Sequence, residues 1–190
     1  MDAADRALVE GLRGGIATAF VATHRRFGPR LYSFLVRMCG RKELAEDLYQ
    51  EMWIKLALHA PRLLPDTDLA AWLYTVARNL ARSERRTERV RPHGEAIAAE
   101  IVYEGASPFE WTAANQTQAR LEQALAELPT PFREVLLLVV VEGMEHERAA
   151  AILDLTADAL RQRLARARAK LAERHDALSK AHPVEARSSS

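Results

Sequence analysis

Most covalent and metal-based means of holding a fold together are missing from this chain. Its 190 residues include a single cysteine, Cys39. One cysteine forms no internal disulfide, so there is no disulfide framework and a reducing compartment is expected. Its neighbours Leu35, Val36 and Met38 are apolar, which suits a small buried thiol better than a reactive one. The histidines His24, His59, His93, His146, His175 and His182 show no ligand spacing with one another or with Cys39, and no glycine-rich nucleotide loop is present. These gaps point away from an enzyme, and neither a metal nor another cofactor is expected. No apolar run approaches the about 18 residues that a membrane helix needs; the longest spans 135–141. The first residues, MDAADRALVEGLRGG, begin acidic and lack the long apolar centre of a secretory signal. A cytoplasmic protein is the expectation.

Aromatics are also scarce, at 6%, whereas Ala, Leu, Arg and Glu are abundant. Those four are strong helix formers, so the expected fold class is all-α. The composition, 48% hydrophobic and 28% charged, is that of a folded globular protein. At roughly 100–200 residues per domain, the length suits one medium domain or two small ones. The formal net charge of +1 decides nothing about nucleic acid by itself, because opposite charge blocks cancel in the sum.

Apolar residues recur at three- and four-residue steps through Ile16, Phe20, Phe27, Leu31, Phe34, Leu35 and Met38, with a helix break expected at Gly28-Pro29. A second helix is predicted over 41–59, with Leu44, Leu48, Met52 and Leu56 on one face. Pro61 and Pro65 mark a loop over 61–68, and Asp68 is a natural N-cap for a third helix carrying Leu69, Trp72, Leu73, Val76, Ala77 and Leu80. Trp72 shares its face with Leu69, Leu73 and Val76, which favours a core role over a stacking platform. Residues 91–118 contain prolines, glycines and several glutamates and read as an acidic linker, with a short helix suggested at 96–102. Helical periodicity returns at 119. A strongly apolar helix follows the Pro129-Thr130-Pro131 turn and ends at Gly143. The last residues, from Ser179 on, read as a polar disordered tail.

The strongest local signal lies over 146–171. A short helix to Leu153 meets the tight connection Asp154-Leu155, and Thr156 caps a second helix expected to reach about His175. This is a helix-turn-helix pattern, with Asp154 at a place that wants positive φ, which Asp tolerates. Leu160, Leu164, Ala167 and Leu171 form the inward face. The polar positions carry Arg161, Gln162, Arg163, Arg166, Arg168, Lys170 and Arg174. Such a helix suits the major groove, where Arg and Gln hydrogen-bond base edges and Arg also meets phosphates.

Residues 125–173, with Leu128-Pro129, Arg133-Glu134-Val135, Glu142-Gly143, Ala150, Ile152-Leu153 and Arg163-Leu164-Ala165-Arg166-Ala167, resemble the region 4 domain of extracytoplasmic-function sigma factors in the sigma-70 family. Independently, Ala45-Glu46-Asp47 with Gln50-Glu51, and Trp72-Leu73 with Ala77-Arg78-Asn79, resemble the region 2 domain. The resemblance implies two small helical domains: an N-terminal segment at 1–15, region 2 at 16–90, the linker at 91–118, region 4 at 119–177 and a tail at 178–190. It implies a transcription initiation factor that binds core RNA polymerase and promoter DNA, under control of an anti-sigma partner that is commonly membrane-anchored.

The same resemblance assigns roles. Asp47, Leu48, Gln50 and Glu51 match the helix that docks on the β′ clamp helices, while the β subunit is a further contact of the family. Asn79, Arg82, Arg85, Arg86 and Arg89 match the helix that engages the −10 element, with the loop 64–68 where an unstacked base is captured; extracting a base costs a few kcal/mol, which favours a preformed pocket. Arg161, Gln162 and Arg166 match positions that read the −35 element, with Arg163 on a phosphate or in an ion pair. The linker is expected to thread toward the polymerase cleft. Three places depart from the family pattern: Ser83 stands where Asp is usual, Arg148-Ala149-Ala150 where Glu-Ile-Ala is usual, and Asp158-Ala159-Leu160 where Gly-Thr-Val is frequent. A stand-alone helix-turn-helix regulator would explain the last helices but not the Asp47/Gln50/Glu51 stripe or the Asn79 helix.

Overall fold

The computed structural model describes residues 3–88 and 110–181. All of the regular structure among them is helical: α1 (Ala3–Arg13), α2 (Ala17–Cys39), α3 (Lys42–His59), α4 (Leu69–Glu88), α5 (Glu110–Glu127), α6 (Thr130–Leu136), α7 (His146–Leu153) and α8 (Ala157–Ala181). Helices α1–α4 build a first lobe and α5–α8 a second. The lobes meet where α7 lies on α4 and where α5 and α6 approach α2.

The first lobe packs Leu31, Phe34, Leu35 and Met38 of α2 against Leu44, Leu48, Met52 and Leu56 of α3 and Leu69, Leu73 and Ala77 of α4, all buried. The expected break at Gly28-Pro29 does not occur, and α2 runs through it. Proline forfeits one helical hydrogen bond and disfavours the helical conformation of the residue before it by crowding that residue's amide and Cβ. Gly28 has no Cβ, and one built there would stand 2.6 Å from the Tyr49 hydroxyl of α3. The same glycine thus eases the crowding with proline and lets α3 come close.

The N-terminal segment, for which periodicity predicts no element, forms α1. Val9 and Leu12 are buried, and Gly11 lets α1 rest on α2, since a Cβ there would lie 2.5 Å from that of Ala19. The predicted helix over 41–59 forms with the expected face inward. Asp68 caps α4, accepting a hydrogen bond from the Ala71 amide at 3.0 Å. Trp72 is only half-buried and stacks on His59 with ring centroids 5.4 Å apart.

In the second lobe, helical structure begins at Glu110 rather than at 119, which shortens the linker at its far end. The rest of the linker, including the short helix suggested at 96–102, lies outside the described residues. The apolar helix after Pro129 changes character at Leu137–Val141, where the turn widens to π geometry, with the Glu142 amide bonded to the Leu137 carbonyl at 2.8 Å. Gly143 then terminates it at φ 64°. Asp154 takes the left-handed conformation at φ 55°, the geometry expected of the tight turn. Thr156 caps α8, its hydroxyl accepting from the Ala159 amide at 3.2 Å. α8 continues to Ala181, past the predicted end near His175, so Ser179 and Lys180 are helical and the remaining tail lies outside the described residues.

Candidate nucleic-acid and polymerase interface

The outer face of α8 carries the basic residues singled out from sequence. Leu160, Leu164 and Ala167 are buried at 0%, 4% and 0% exposure, which turns Arg161, Gln162 and Arg166 to solvent and leaves Arg163 at the edge. Arg161 pairs with Asp158 one turn earlier. That pairing orients the guanidinium along the helix N-terminal turn, where Asp158 also meets the positive end of the helix dipole. The face is therefore a ridge of donors on a rigid helix, the shape and chemistry that a major groove accepts.

On α4, Asn79 and Arg82 are exposed, while Arg78 beside them is buried. Arg85 and Arg86 lie on the last turns of α4 and Arg89 falls outside the described residues. The loop ahead of α4 exposes Leu64, 67% accessible, between Leu63 and Leu69, which are buried.

Asp47, Gln50 and Glu51 lie along α3, and all three are exposed. Leu48, grouped with them by resemblance, is only 6% exposed; it packs in the core and supports the stripe from beneath. Two residues that the periodicity of the sequence did not single out complete that stripe. Ile54 and Leu58 are 59% and 74% exposed, and positions 47, 51, 54 and 58 fall on one side of a helix by their spacing. Large apolar side chains held in water beside carboxylates form a mixed surface suited to a partner helix. The signal in the sequence was a second apolar series, offset from Leu44, Leu48, Met52 and Leu56.

Several charged pairs join the lobes. Glu142, with a side chain 4% exposed, pairs with Arg30 at 3.0 Å and accepts a 2.5 Å hydrogen bond from the Tyr74 hydroxyl. Burial first, and the Glu142 carboxylate second, push the Tyr74 hydroxyl well above the ordinary tyrosine range. Glu134, with a side chain 2% exposed, faces Arg78 at 3.3 Å and Arg82 at 3.8 Å. These are ion pairs without hydrogen-bond alignment: Arg78 Nε and Glu134 Oε1 are both buried without a hydrogen-bond partner. Arg78 also donates to the Ile152 carbonyl at 3.1 Å. Arg37 grips Glu122 through two nitrogens at 2.9 and 3.0 Å, and Arg148 meets Asp68 at 2.7 Å. None of these pairings between lobes was readable in the sequence.

Comparison with known proteins agrees in both lobes. The family described as Sigma-70 region 2 matches residues 23–91, and Sigma-70, region 4 matches residues 118–171. The ECF RNA polymerase sigma factor EcfG of Rhodopseudomonas palustris is 33% identical over 75% of this chain and 77% of its own length. Among solved structures, CnrH in complex with the cytosolic domain of CnrY superposes with a TM-score of 0.70 at 28% identity, covering 92% of this chain and 98% of that one. The sigma factor RpoE in complex with the anti-sigma factor NepR, from Bartonella quintana, gives 0.69 at 25% identity, covering 83% and 96%.

Proposed function

Because this chain belongs to the sigma-70 family of RNA polymerase sigma factors, in the extracytoplasmic-function branch, we propose that it docks on core polymerase through α3 and holds promoter DNA with α4 and α8. Sigma factors are transcription initiation factors, and the division of labour follows from the surfaces. Asp47, Gln50 and Glu51, with Ile54 and Leu58, meet the β′ clamp helices; the carboxylates match a basic partner and the two apolar side chains lose their water on docking. Arg161, Gln162 and Arg166 read the −35 element in the major groove, with Arg163 on the phosphates. Asn79 and the arginines Arg82, Arg85, Arg86 and Arg89 hold the −10 strand, with the exposed loop at 64–68 receiving an unstacked base. Trapping that strand stabilises the melted promoter, and no bond is made or broken by this chain.

The observation that carries this reading is the pairing of a donor-rich ridge on α8 with an exposed acidic and apolar stripe on α3, in one molecule. Control belongs to an anti-sigma protein, which keeps the factor from polymerase in the cytoplasm or, through a membrane anchor, at the inner membrane. The test is run-off transcription. The chain added to core polymerase starts RNA at defined sites, and Gln50→Ala with Glu51→Ala weakens core binding without changing the melting temperature. If the chain instead binds a duplex operator tightly by itself and ignores core polymerase, the reading is wrong and a stand-alone regulator replaces it.

A further inference from the structure

We infer that the exposed face shared by α2 and α3 pairs with a second copy of this chain, and that the pair covers the stripe assigned to polymerase. The overlap with polymerase rests on that assignment; the pairing itself does not.

Four large apolar side chains stand in water at one end of the first lobe: Ile16 and Val21 on α2, 54% and 48% exposed, and Ile54 and Leu58 on α3, 59% and 74% exposed. Apolar surface gathered in this way on a folded domain marks a contact site. Around Val21 the outer side of α2 forms an open trough, floored by Ala17 and Ala22 and rimmed by Arg25 and Arg26. Arg26 is held by Asp5 at 3.0 Å, while Arg25 makes no ion pair among the described residues. The neighbouring stripe on α3 has the opposite sign, through the exposed carboxylates of Asp47 and Glu51. One face thus carries a basic apolar row beside an acidic apolar row. The occupant complementary to both is the same face of another copy, turned so that each row meets the other.

The register of the two rows fits such a pair. Inside the chain α2 and α3 run antiparallel, since Phe20 meets Trp53, His24 meets Trp53 and Tyr49, and Tyr32 meets Tyr49 and Glu46. A twofold axis along these helices exchanges their places and leaves every residue at its own height. α2 of one copy then lies antiparallel on α3 of the other, in the register that the ring contacts set. Val21 falls opposite Ile54, Ala17 opposite Leu58 and Arg25 opposite Glu51. Glu51 also reaches Lys55 on its own helix at 3.1 Å, but an exposed pair of this kind holds weakly and leaves the carboxylate able to turn. The result is a closed, isologous contact of four helices. It spans about three turns of two helices, about 16 Å by 20 Å, at or below the size of about 1,200 Å² where specific interfaces begin. The pair is therefore weak, with a dissociation constant on the order of 10 μM. It forms when the chain is abundant, withholding the α3 stripe from polymerase, and dissolves on dilution.

The experiment is sedimentation velocity of the full chain, over concentrations bracketing that constant by about tenfold on each side. The natural chain passes from one copy to two. Arg25→Glu and Val21→Glu each weaken the pair about tenfold. Both positions are exposed and neither is assigned to DNA or polymerase, so melting temperature and run-off transcription at low chain concentration stay as in the natural chain. Arg25→Glu combined with Glu51→Arg restores the pair by exchanging the two charges, read by sedimentation alone because Glu51 also serves polymerase. A natural chain that stays single throughout overturns the inference, as does a pair indifferent to both single variants. Failure of the exchanged charges to restore pairing overturns the placement of α2 on α3. Core polymerase added to the paired chain separates it, and a complex holding two copies on one core overturns the shared face. A chain that pairs but ignores core polymerase overturns the functional assignment instead and leaves the pairing standing.

Discussion

Arg133 gives the sharpest quantitative test of how the second lobe is held together. Its side chain is almost wholly enclosed, with the residue 3% exposed, and its guanidinium spreads over backbone carbonyls from two helix ends. Nε donates to Leu125 at 3.0 Å, one terminal nitrogen to Met38 at 3.1 Å and the other to Leu128 at 3.1 Å and to Ala126. Two of those carbonyls, Leu125 and Ala126, belong to the last turn of α5 and Leu128 follows directly after it, where no further helical amides are available and the helix dipole presents its negative end. The fourth lies at the end of α2, in the first lobe. Arg133→Met keeps the apolar stem and removes every donor. Hydrogen bonds to charged groups contribute about 1.5–3 kcal/mol each, but they do not add, and some of the freed carbonyls recover water. The expected loss is about 3 kcal/mol. At about 2–4 °C per kcal/mol for a chain of this size, the melting temperature falls by about 6–12 °C, read by circular dichroism and checked by urea unfolding. Arg133→Lys recovers only part of it, because an ammonium on one stem cannot reach both helix ends with a planar fork. A loss below about 1 kcal/mol for Arg133→Met would refute the reasoning, since it would mean that the carbonyls of α5 and α2 find equivalent partners without the guanidinium.

Three further outcomes are expected. Gly11→Ala places a methyl 2.5 Å from the Ala19 Cβ, a clash that no flexible side chain can relieve; overpacking costs about 1–3 kcal/mol, and hydrogen exchange should show α1 opening before the rest of the first lobe. The Tyr74 hydroxyl is raised from its ordinary value of 10.0 by burial and by Glu142, so its contribution is fully present below about pH 10 and is lost as the pH climbs toward the raised value. Tyr74→Phe should therefore flatten the alkaline limb of a stability-against-pH curve, and an unchanged limb would count against the hydrogen bond. Arg161→Ala and Gln162→Ala should each lower discrimination at one −35 base pair by about 1–3 kcal/mol in competition binding by holoenzyme, and leave thermal stability within about 0.5 kcal/mol.

What the sequence could determine is what is local. Leu44, Leu48, Met52 and Leu56 recur at helical spacing and are buried together, because a helix in water must cover its apolar side. Asp68, Thr156 and Asp154 sit at the cap and turn positions that their side chains favour, and the basic residues of α8 stand outward because Leu160, Leu164 and Ala167 do not. The passage of α2 through Gly28-Pro29 was not legible, since whether a proline breaks a helix depends on what packs against its flanks, here Tyr49 from another helix. Nor was the extent of α5, nor the apolar second row at Ile54 and Leu58, whose exposure only the packing of α3 decides. The arrangement of the lobes was furthest out of reach. Tyr74 meets Glu142 across 68 positions and Arg30 meets it across 112, and no periodicity spans such distances. A charged residue in a sequence announces its sign but not its partner; tertiary structure chooses the partner, because only there do burial and geometry decide which opposite charges meet.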